Sequence, residues 1–154
     1  DPLWSRGLGD VYKRQSLHGM TLDNLTPANL CRAVVEGTTF GLRYGLDLLR
    51  AAGLHSQSIR LIGGGAKSLL WRQMVADIMH APVICPREAE AAALGAAIQA
   101  AWCHGRLDDP DLDLQQLCER CVRLDPGSET QPRAEHVAAY EPVYQRYRQQ
   151  LASL

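Results

Sequence analysis

Mostly apolar positions recur every three or four residues through the first long segment of the chain, which is the spacing of one face of an α-helix. Thr26-Pro27 places a capping hydroxyl before a proline at the first helical position. Gly53 follows the last periodic residue and supplies a stop. The periodic positions are Leu30, Val34, Thr38, Leu42, Leu46 and Leu49. The pattern therefore predicts a helix from Pro27 to just before Gly53.

Three glycines inside this helix, Gly37, Gly41 and Gly45, lie four residues apart, so one helix face carries no side chains. Each glycine costs up to about 1 kcal/mol relative to alanine. Arg43 and Asp47 on the same helix argue against the glycine stripe of a membrane-embedded dimer. We expect another element of the protein to approach the helix backbone closely here.

The middle of the chain alternates between strand and helix patterns. Short apolar runs predict strands at residues 58–62 and 82–85, and helical spacing predicts helices at residues 68–80 and 90–103. This order is that of a βαβ unit with a parallel sheet. On the first of these helices, the predicted apolar side consists of Leu70, Met74, Val75 and Ile78.

The last third of the chain predicts two helices separated by turns. A capped acidic turn leads into a short helix over residues 112–121, and an amphipathic helix closes the chain over residues 135–151. Between them, residues 124–132 have turn chemistry throughout, with Pro126-Gly127-Ser128 as the clearest signal. Pro142 falls inside the last helix and predicts a kink or a restart there.

Length and charge exclude several classes of protein. The 154 residues are 46% hydrophobic, which is enough for one domain. With 16 basic and 17 acidic side chains, the formal charge is −1, which is unlike a nucleic-acid binder or a polybasic membrane protein. No apolar run approaches the roughly 18 residues of a membrane span. We expect a soluble cytoplasmic domain that binds neither nucleic acid nor membrane.

Residues 1–15 differ in character from the rest. They lack the continuous apolar region and the cleavage site of a secretory signal. Their sequence is similar to the conceptual translation of a sequencing adapter, although a genuine terminal tail stays open. We predict that residues 1–15 are non-native and that residues 16–154 form part of one domain.

The sharpest chemical feature is the run Gly63-Gly64-Gly65-Ala66-Lys67-Ser68 between a strand and a helix. Backbone amides without a Cβ beside them, together with the positive end of a helix dipole, form an anion site. The run is not a P-loop, because Ala66 and Leu61 replace its two required glycines, and Ser68 breaks the dinucleotide fingerprint. A tight turn that uses glycine for positive φ is the competing interpretation.

Two charged residues are further candidates, each with a plain structural alternative. Lys67 could contact phosphate or stay solvated beside the turn. Glu90 could be a polar group near a nucleotide cleft, or a carboxylate that interacts with the dipole of the helix it opens.

The other reactive residue types form no recognised site. Cys118-x-x-Cys121 has the spacing of one ligand pair, but a closed zinc site needs four ligands. The five cysteines are typical of buried thiols in a reducing compartment. The histidines are scattered, and the chain has no Gly-x-Ser-x-Gly motif. We therefore predict no metal ligands and no nucleophile.

Taken together, these segments resemble the FGGY carbohydrate kinases. The resemblance rests on the run from Leu61 to Ser68, on Trp71-Arg72-Gln73-Met74, and on Glu90 with Ala93-Leu94-Gly95-Ala96-Ala97. The segment from Leu30 to Gly37 resembles the family's preceding helix. The likeness is best over residues 19–103 and looser beyond them.

The resemblance implies an α/β, actin-like fold in which two ribonuclease-H-like domains close around a cleft. This chain would be the incomplete C-terminal, ATP-binding domain, with Gly63, Gly64, Gly65, Ala66, Lys67, Ser68 and Glu90 around the nucleotide. Mg²⁺ would bridge the phosphates. The sugar would lie mainly on an N-terminal domain. The resemblance is strongest to the family members that phosphorylate D-xylulose, which implies this sugar. A homodimer is also possible in this family.

The family's catalytic aspartate lies in a segment that would precede Ser16. Asp23, Asp47 and Asp77 do not match its context. We therefore expect no catalytic residue in this chain and no phosphoryl transfer by the chain alone. A non-catalytic actin-like module that senses sugar or binds a partner is the alternative. A dinucleotide-binding dehydrogenase fragment is disfavoured, because the second strand does not end in an acidic residue.

Overall fold

The computed structural model describes residues 16–88 and 90–152; the predicted non-native tail, residues 1–15, lies outside the described residues. In chain order the elements are α1 (Pro27–Ala51), β1 (Ile59–Arg60), a 3₁₀ turn (Gly64–Lys67), α2 (Leu69–Met79), β2 (Val83–Pro86), α3 (Ala91–Gly105), α4 (Leu114–Cys121), β3 (Leu124–Thr130) and α5 (Ala134–Ala152). No helix among the described residues is both long enough and apolar enough to cross a membrane.

The chain divides into two compact units, and the first ends at Ala33. Within it, the Asn24 side chain accepts a hydrogen bond from Thr21 N at 2.8 Å and donates one to the Gly19 carbonyl at 2.8 Å. The Thr26 hydroxyl accepts from Asn29 N at 3.2 Å, which is the predicted cap of α1.

The second unit begins at Val34 and contains a three-stranded sheet in the order β1-β2-β3. β1 and β2 are parallel, with Ile59 opposite Val83, and α2 connects them. The predicted βαβ unit is therefore confirmed, although β1 is shorter than the predicted strand.

β3 corrects the prediction of turns at residues 124–132, because this segment pairs antiparallel with β2. The pairing is irregular between Val83 and Cys85. There, Cys85 N donates to Ser128 Oγ at 2.8 Å, and Gly127 N donates to Asp125 Oδ1 at 3.1 Å. Polar side chains thus replace ladder bonds around Pro126 and Gly127, as in a β-bulge, while the flanks still pair.

Two groups of buried residues lie on opposite sides of α2, which is buried continuously from Met74 to Met79. The sheet-side cluster consists of Leu61, Val75, Ala76, Met79, Ala81 and Val83. The helix-side cluster consists of Phe40, Met74, Ile78 and Tyr144. The predicted apolar side of α2 is wrong at Leu70, which is 71% exposed, because the buried run begins one turn later.

The helix-side cluster explains two further differences from prediction. α5 runs unbroken through Pro142, since Tyr140 and Tyr144, on either side of it, both pack against the Phe40 ring. α1 buries Phe40 and Arg43, and at Gly41 the Tyr147 hydroxyl of α5 lies 3.5 Å from the position a Cβ would take. The predicted close approach is therefore present at Gly41, whereas no atom of the described chain lies within 4 Å of a Cβ built on Gly37 or Gly45.

Candidate functional site

The glycine run connects the end of β1 to the start of α2. Leu61 N donates to the Ile84 carbonyl at 3.0 Å, which is the last bond between these two strands. Gly63 then adopts φ 87° and ψ −178°, a conformation that favours glycine. The chain continues through the 3₁₀ turn, and the Ser68 hydroxyl caps α2 by accepting from Trp71 N at 3.3 Å.

The amides of this run fall into two groups. Ala66 N donates to the Gly63 carbonyl at 3.1 Å, and Ser68 N donates to the Gly65 carbonyl at 2.9 Å. Within the described part of the chain, the amides of Gly63, Gly64 and Gly65 have no acceptor. A ligand could therefore accept hydrogen bonds from the three glycine amides, which are a smaller set than the predicted six residues.

Backbone conformation or packing requires glycine at two of the three positions, Gly63 and Gly65. Gly63 needs its positive φ. A Cβ on Gly65 would lie 1.8 Å from a ring carbon of Trp71, so packing requires glycine there. Gly64 has neither constraint: its φ is not positive, and a Cβ would meet no atom within 4 Å. The tight-turn interpretation therefore accounts for Gly63 but not for Gly64.

Lys67 and Glu90, the two charged residues predicted for the site, are both exposed to solvent. Lys67 is exposed beside the run. Glu90 precedes α3 and is also exposed; its carboxylate makes no capping hydrogen bond. No hydrogen bond joins the Glu90 side chain to the glycine run among the described residues.

Two residues that were not predicted as part of the site are connected to the glycine run. Trp71 contacts it directly, and Thr39 contacts it through Trp71. The Trp71 ring lies against Gly65, and its Nε1 donates to the Thr39 hydroxyl at 3.1 Å. The sequence carries no signal for either contact, because Thr39 is 26 positions away from Gly65 and Trp71 has the pattern of a core residue.

Asp77, which is buried, and Asp47, which is half-buried, both make hydrogen bonds between helices. Asp77 is 1% exposed, accepts from Gln73 Nε2 and Arg133 N, each at 2.8 Å, and lies 2.9 Å from His136 Nδ1. Asp47 accepts from the Tyr144 hydroxyl at 2.7 Å. Asp77 thus joins α2 to α5, and Asp47 joins α1 to α5.

Charged groups also join α1 to α5. Arg43 Nη2 donates to Glu141 Oε2 at 2.7 Å, and its guanidinium lies 4.0 Å from the centre of the Tyr144 ring. Hydrogen bonds from Gln145 and then Arg43 lower the pKa of Glu141. Burial, followed by the hydrogen bond to Asp47, raises the pKa of Tyr144. These residues stabilise the packing of α5 against α1, the helix that contains Thr39.

An open apolar cavity of about 390 Å³ lies between α3 and α4, and no residue of the glycine run lines it. Its lining residues are Pro86, Ala91, Leu94, Gly95, Ile98, Gln99, Leu114, Cys118 and Val122. The cavity presents no charged group, so it is a poor match for a phosphate-bearing ligand.

Comparison with known proteins gives concordant matches. The model of the C-terminal domain of the FGGY family of carbohydrate kinases matches residues 3–104. The chain is 50% identical over 141 residues to the xylulose kinase of Haemophilus influenzae, covering 92% of this chain and 28% of that protein.

Solved structures give the same picture. A ligand-bound xylulose kinase from Lactobacillus acidophilus superposes with a TM-score of 0.77 at 25% identity, covering 92% of this chain and 27% of that one. A gluconate kinase from the same organism gives the same values. The chain thus spans little more than a quarter of the length of these relatives.

Proposed function

This chain belongs to the FGGY family of carbohydrate kinases, and from that membership we propose that it is the nucleotide-binding part of an ATP-dependent sugar kinase. The whole enzyme would transfer the γ-phosphoryl group of ATP to a hydroxyl of D-xylulose. The 50% identity to a xylulose kinase supports this sugar. Fold likeness does not select it, because a gluconate kinase superposes equally well.

The observation that carries the proposal is the set of free amides at Gly63, Gly64 and Gly65. Three N–H groups that find no acceptor among residues 16–88 and 90–152, just before a helix N-terminus, favour a group with several negative oxygens. The open space at Gly64 would let such a group approach the backbone closely. Lys67, exposed beside these amides, would add a positive charge.

Exposed aliphatic side chains border the run and suit the apolar part of a nucleotide. Ile62 is 53% exposed, Leu69 72% and Leu70 71%. Covering such side chains with a flat nucleobase would remove apolar surface from water, worth about 25 cal/mol per Å². We assign the phosphates to the glycine amides and the base to this aliphatic border.

The described residues do not fit a Mg²⁺ site of their own. Across residues 16–88 and 90–152, no group of three or more His, Cys, Asp or Glu side chains is placed to hold a metal ion. Mg²⁺ would therefore be held by the ATP phosphates and not by side chains of these residues.

Gly64→Ala tests the proposal, because the new methyl group would enter the open space without disturbing the fold. We expect ATP affinity to fall about tenfold, equivalent to about 1.4 kcal/mol, with no change in Tm. Isothermal titration calorimetry and thermal unfolding measure the two quantities.

Gly45→Ala is the matched control, since Gly45 is equally open but lies on α1. It should leave ATP affinity unchanged and raise stability by up to about 1 kcal/mol. If the native chain does not bind ATP, or if Gly64→Ala binds it as tightly as the native chain, the proposed function is wrong.

The chain alone is expected to bind ATP but to phosphorylate no D-xylulose, because Asp23, Asp47 and Asp77 do not match the context of the family's catalytic aspartate. A coupled assay of ADP release, with and without D-xylulose, checks this. Sugar-dependent ADP release by the purified chain would show that a catalytic base has been missed.

A further inference from the structure

Trp71 contacts three separate parts of the second unit. Its backbone amide donates to the Ser68 hydroxyl at the start of α2. Its indole Nε1 donates to Thr39 Oγ1 on α1 at 3.1 Å. Its ring packs against both the sheet-side and the helix-side clusters. Trp71 is therefore fixed by the core and by α1 at the same time.

The same ring supports the glycine run at Gly65. A Cβ built on Gly65 would lie 1.8, 2.1 and 3.0 Å from three carbons of the six-membered ring. The ring thus occupies the space of the missing side chain and touches the backbone directly. A shift of the ring would have to move the Gly65 backbone or open a gap beneath it.

Thr39 is oriented to receive the indole. It is fully buried, and its hydroxyl donates to the Val35 carbonyl at 2.8 Å. Because the hydroxyl hydrogen is used there, the oxygen presents a lone pair to Trp71 Nε1. Loss of this acceptor would leave the part-buried indole N–H without a partner, which favours a different orientation of the ring.

We infer that Thr39 and Trp71 are positioning residues that set the place of the Gly64 and Gly65 amides for the phosphates of the nucleotide. The inference rests on the proposed function. It adds that a hydroxyl on α1, outside the glycine run, controls the phosphate-binding geometry through one aromatic ring.

The test compares Thr39→Val with Thr38→Val. Thr38 is the matched control, because its hydroxyl also donates to a carbonyl four residues earlier, at 2.9 Å, but it is exposed and makes no hydrogen bond to Trp71. We expect Thr39→Val to weaken ATP binding about fivefold, the size of one lost hydrogen bond. Thr38→Val and Thr39→Ser should bind ATP as the native chain does.

Adenosine separates positioning from general destabilisation, because it lacks phosphates. Its affinity should change less than about twofold in Thr39→Val if only the amide geometry is altered. If Thr39→Val does not fold, Trp71→Phe removes the same hydrogen bond from the other side and should give the same selective loss. Unchanged ATP affinity, or equal losses for ATP and adenosine, would overturn the inference.

A second measurement keeps this inference distinct from the proposed function. The backbone ¹⁵N and ¹H resonances of Gly64 and Gly65 are recorded without any ligand. They should move in Thr39→Val and stay in place in Thr38→Val. If the native chain binds no ATP, the proposed function is wrong. The resonances then still test whether Thr39 positions the glycine run: a shift in Thr39→Val supports it, and no shift contradicts it.

Discussion

Gly65→Ala is expected to lower the free energy of unfolding by about 3 kcal/mol, at the upper end of typical overpacking costs. The new Cβ would overlap two carbons of the Trp71 ring, at 1.8 and 2.1 Å. The ring cannot yield easily, since it packs on both core clusters and is held by Thr39. Thermal unfolding should show a Tm lower by about 6–12 °C for a chain of this size.

A double-mutant cycle isolates the cause of this loss. In a Trp71→Leu background the overlapping ring carbons are absent, so adding Gly65→Ala should cost about 1 kcal/mol or less. Gly64→Ala, which meets open space, should leave Tm unchanged. An equal loss from Gly65→Ala in both backgrounds would mean that backbone conformation, not the ring, requires glycine at this position.

Local patterns were sufficient for the elements that position the site. The cap at Thr26, the strand before Gly63 and the helix after Ser68 each depend on residues close together in the chain, and all three are present. The family and the actin-like fold are confirmed by the comparisons, because several such segments occur in one order. Short-range physics is readable from spacing alone.

Contacts between residues far apart in the chain could not be predicted from the sequence. Pro126 and Gly127 favour a turn locally, yet their segment joins the sheet because Ser128 and Asp125 supply bonds that the backbone lacks. Pro142 disfavours a helix locally by about 3 kcal/mol. Burial of Tyr144 against a helix about a hundred residues earlier opposes that cost.

In the predicted site, too, local features were found from the sequence and long-range contacts were not. The run Gly63–Gly65 was found because glycines between a strand and a helix are a local signal. The spacing could not show that Gly63 needs a positive φ or that Gly65 packs against Trp71, because these depend on the backbone angle and on a side chain placed by the core. The assignment of Glu90 and Lys67 to the nucleotide remains a prediction.

Asp77→Ala is expected to cost about 3 kcal/mol of stability, because it removes a buried charged acceptor from three donors at once. Arg133 N would lose its partner at the start of α5, and His136 would lose the bond that ties this helix to α2. Urea or thermal unfolding measures the loss.

Two milder variants grade the effect of Asp77. Asp77→Asn keeps an oxygen for Arg133 N, and His136→Ala leaves the carboxylate with its bonds from Gln73 and Arg133, so each should cost about 1 kcal/mol. Asp23→Ala, at an exposed acidic position, should stay within about 0.5 kcal/mol of the native chain. Equal costs for Asp77→Ala and Asp77→Asn would show that the negative charge, and not the acceptor oxygens, holds α5 on α2. In that case electrostatic attraction, and not hydrogen bonding, would be the main contribution of Asp77 to this contact.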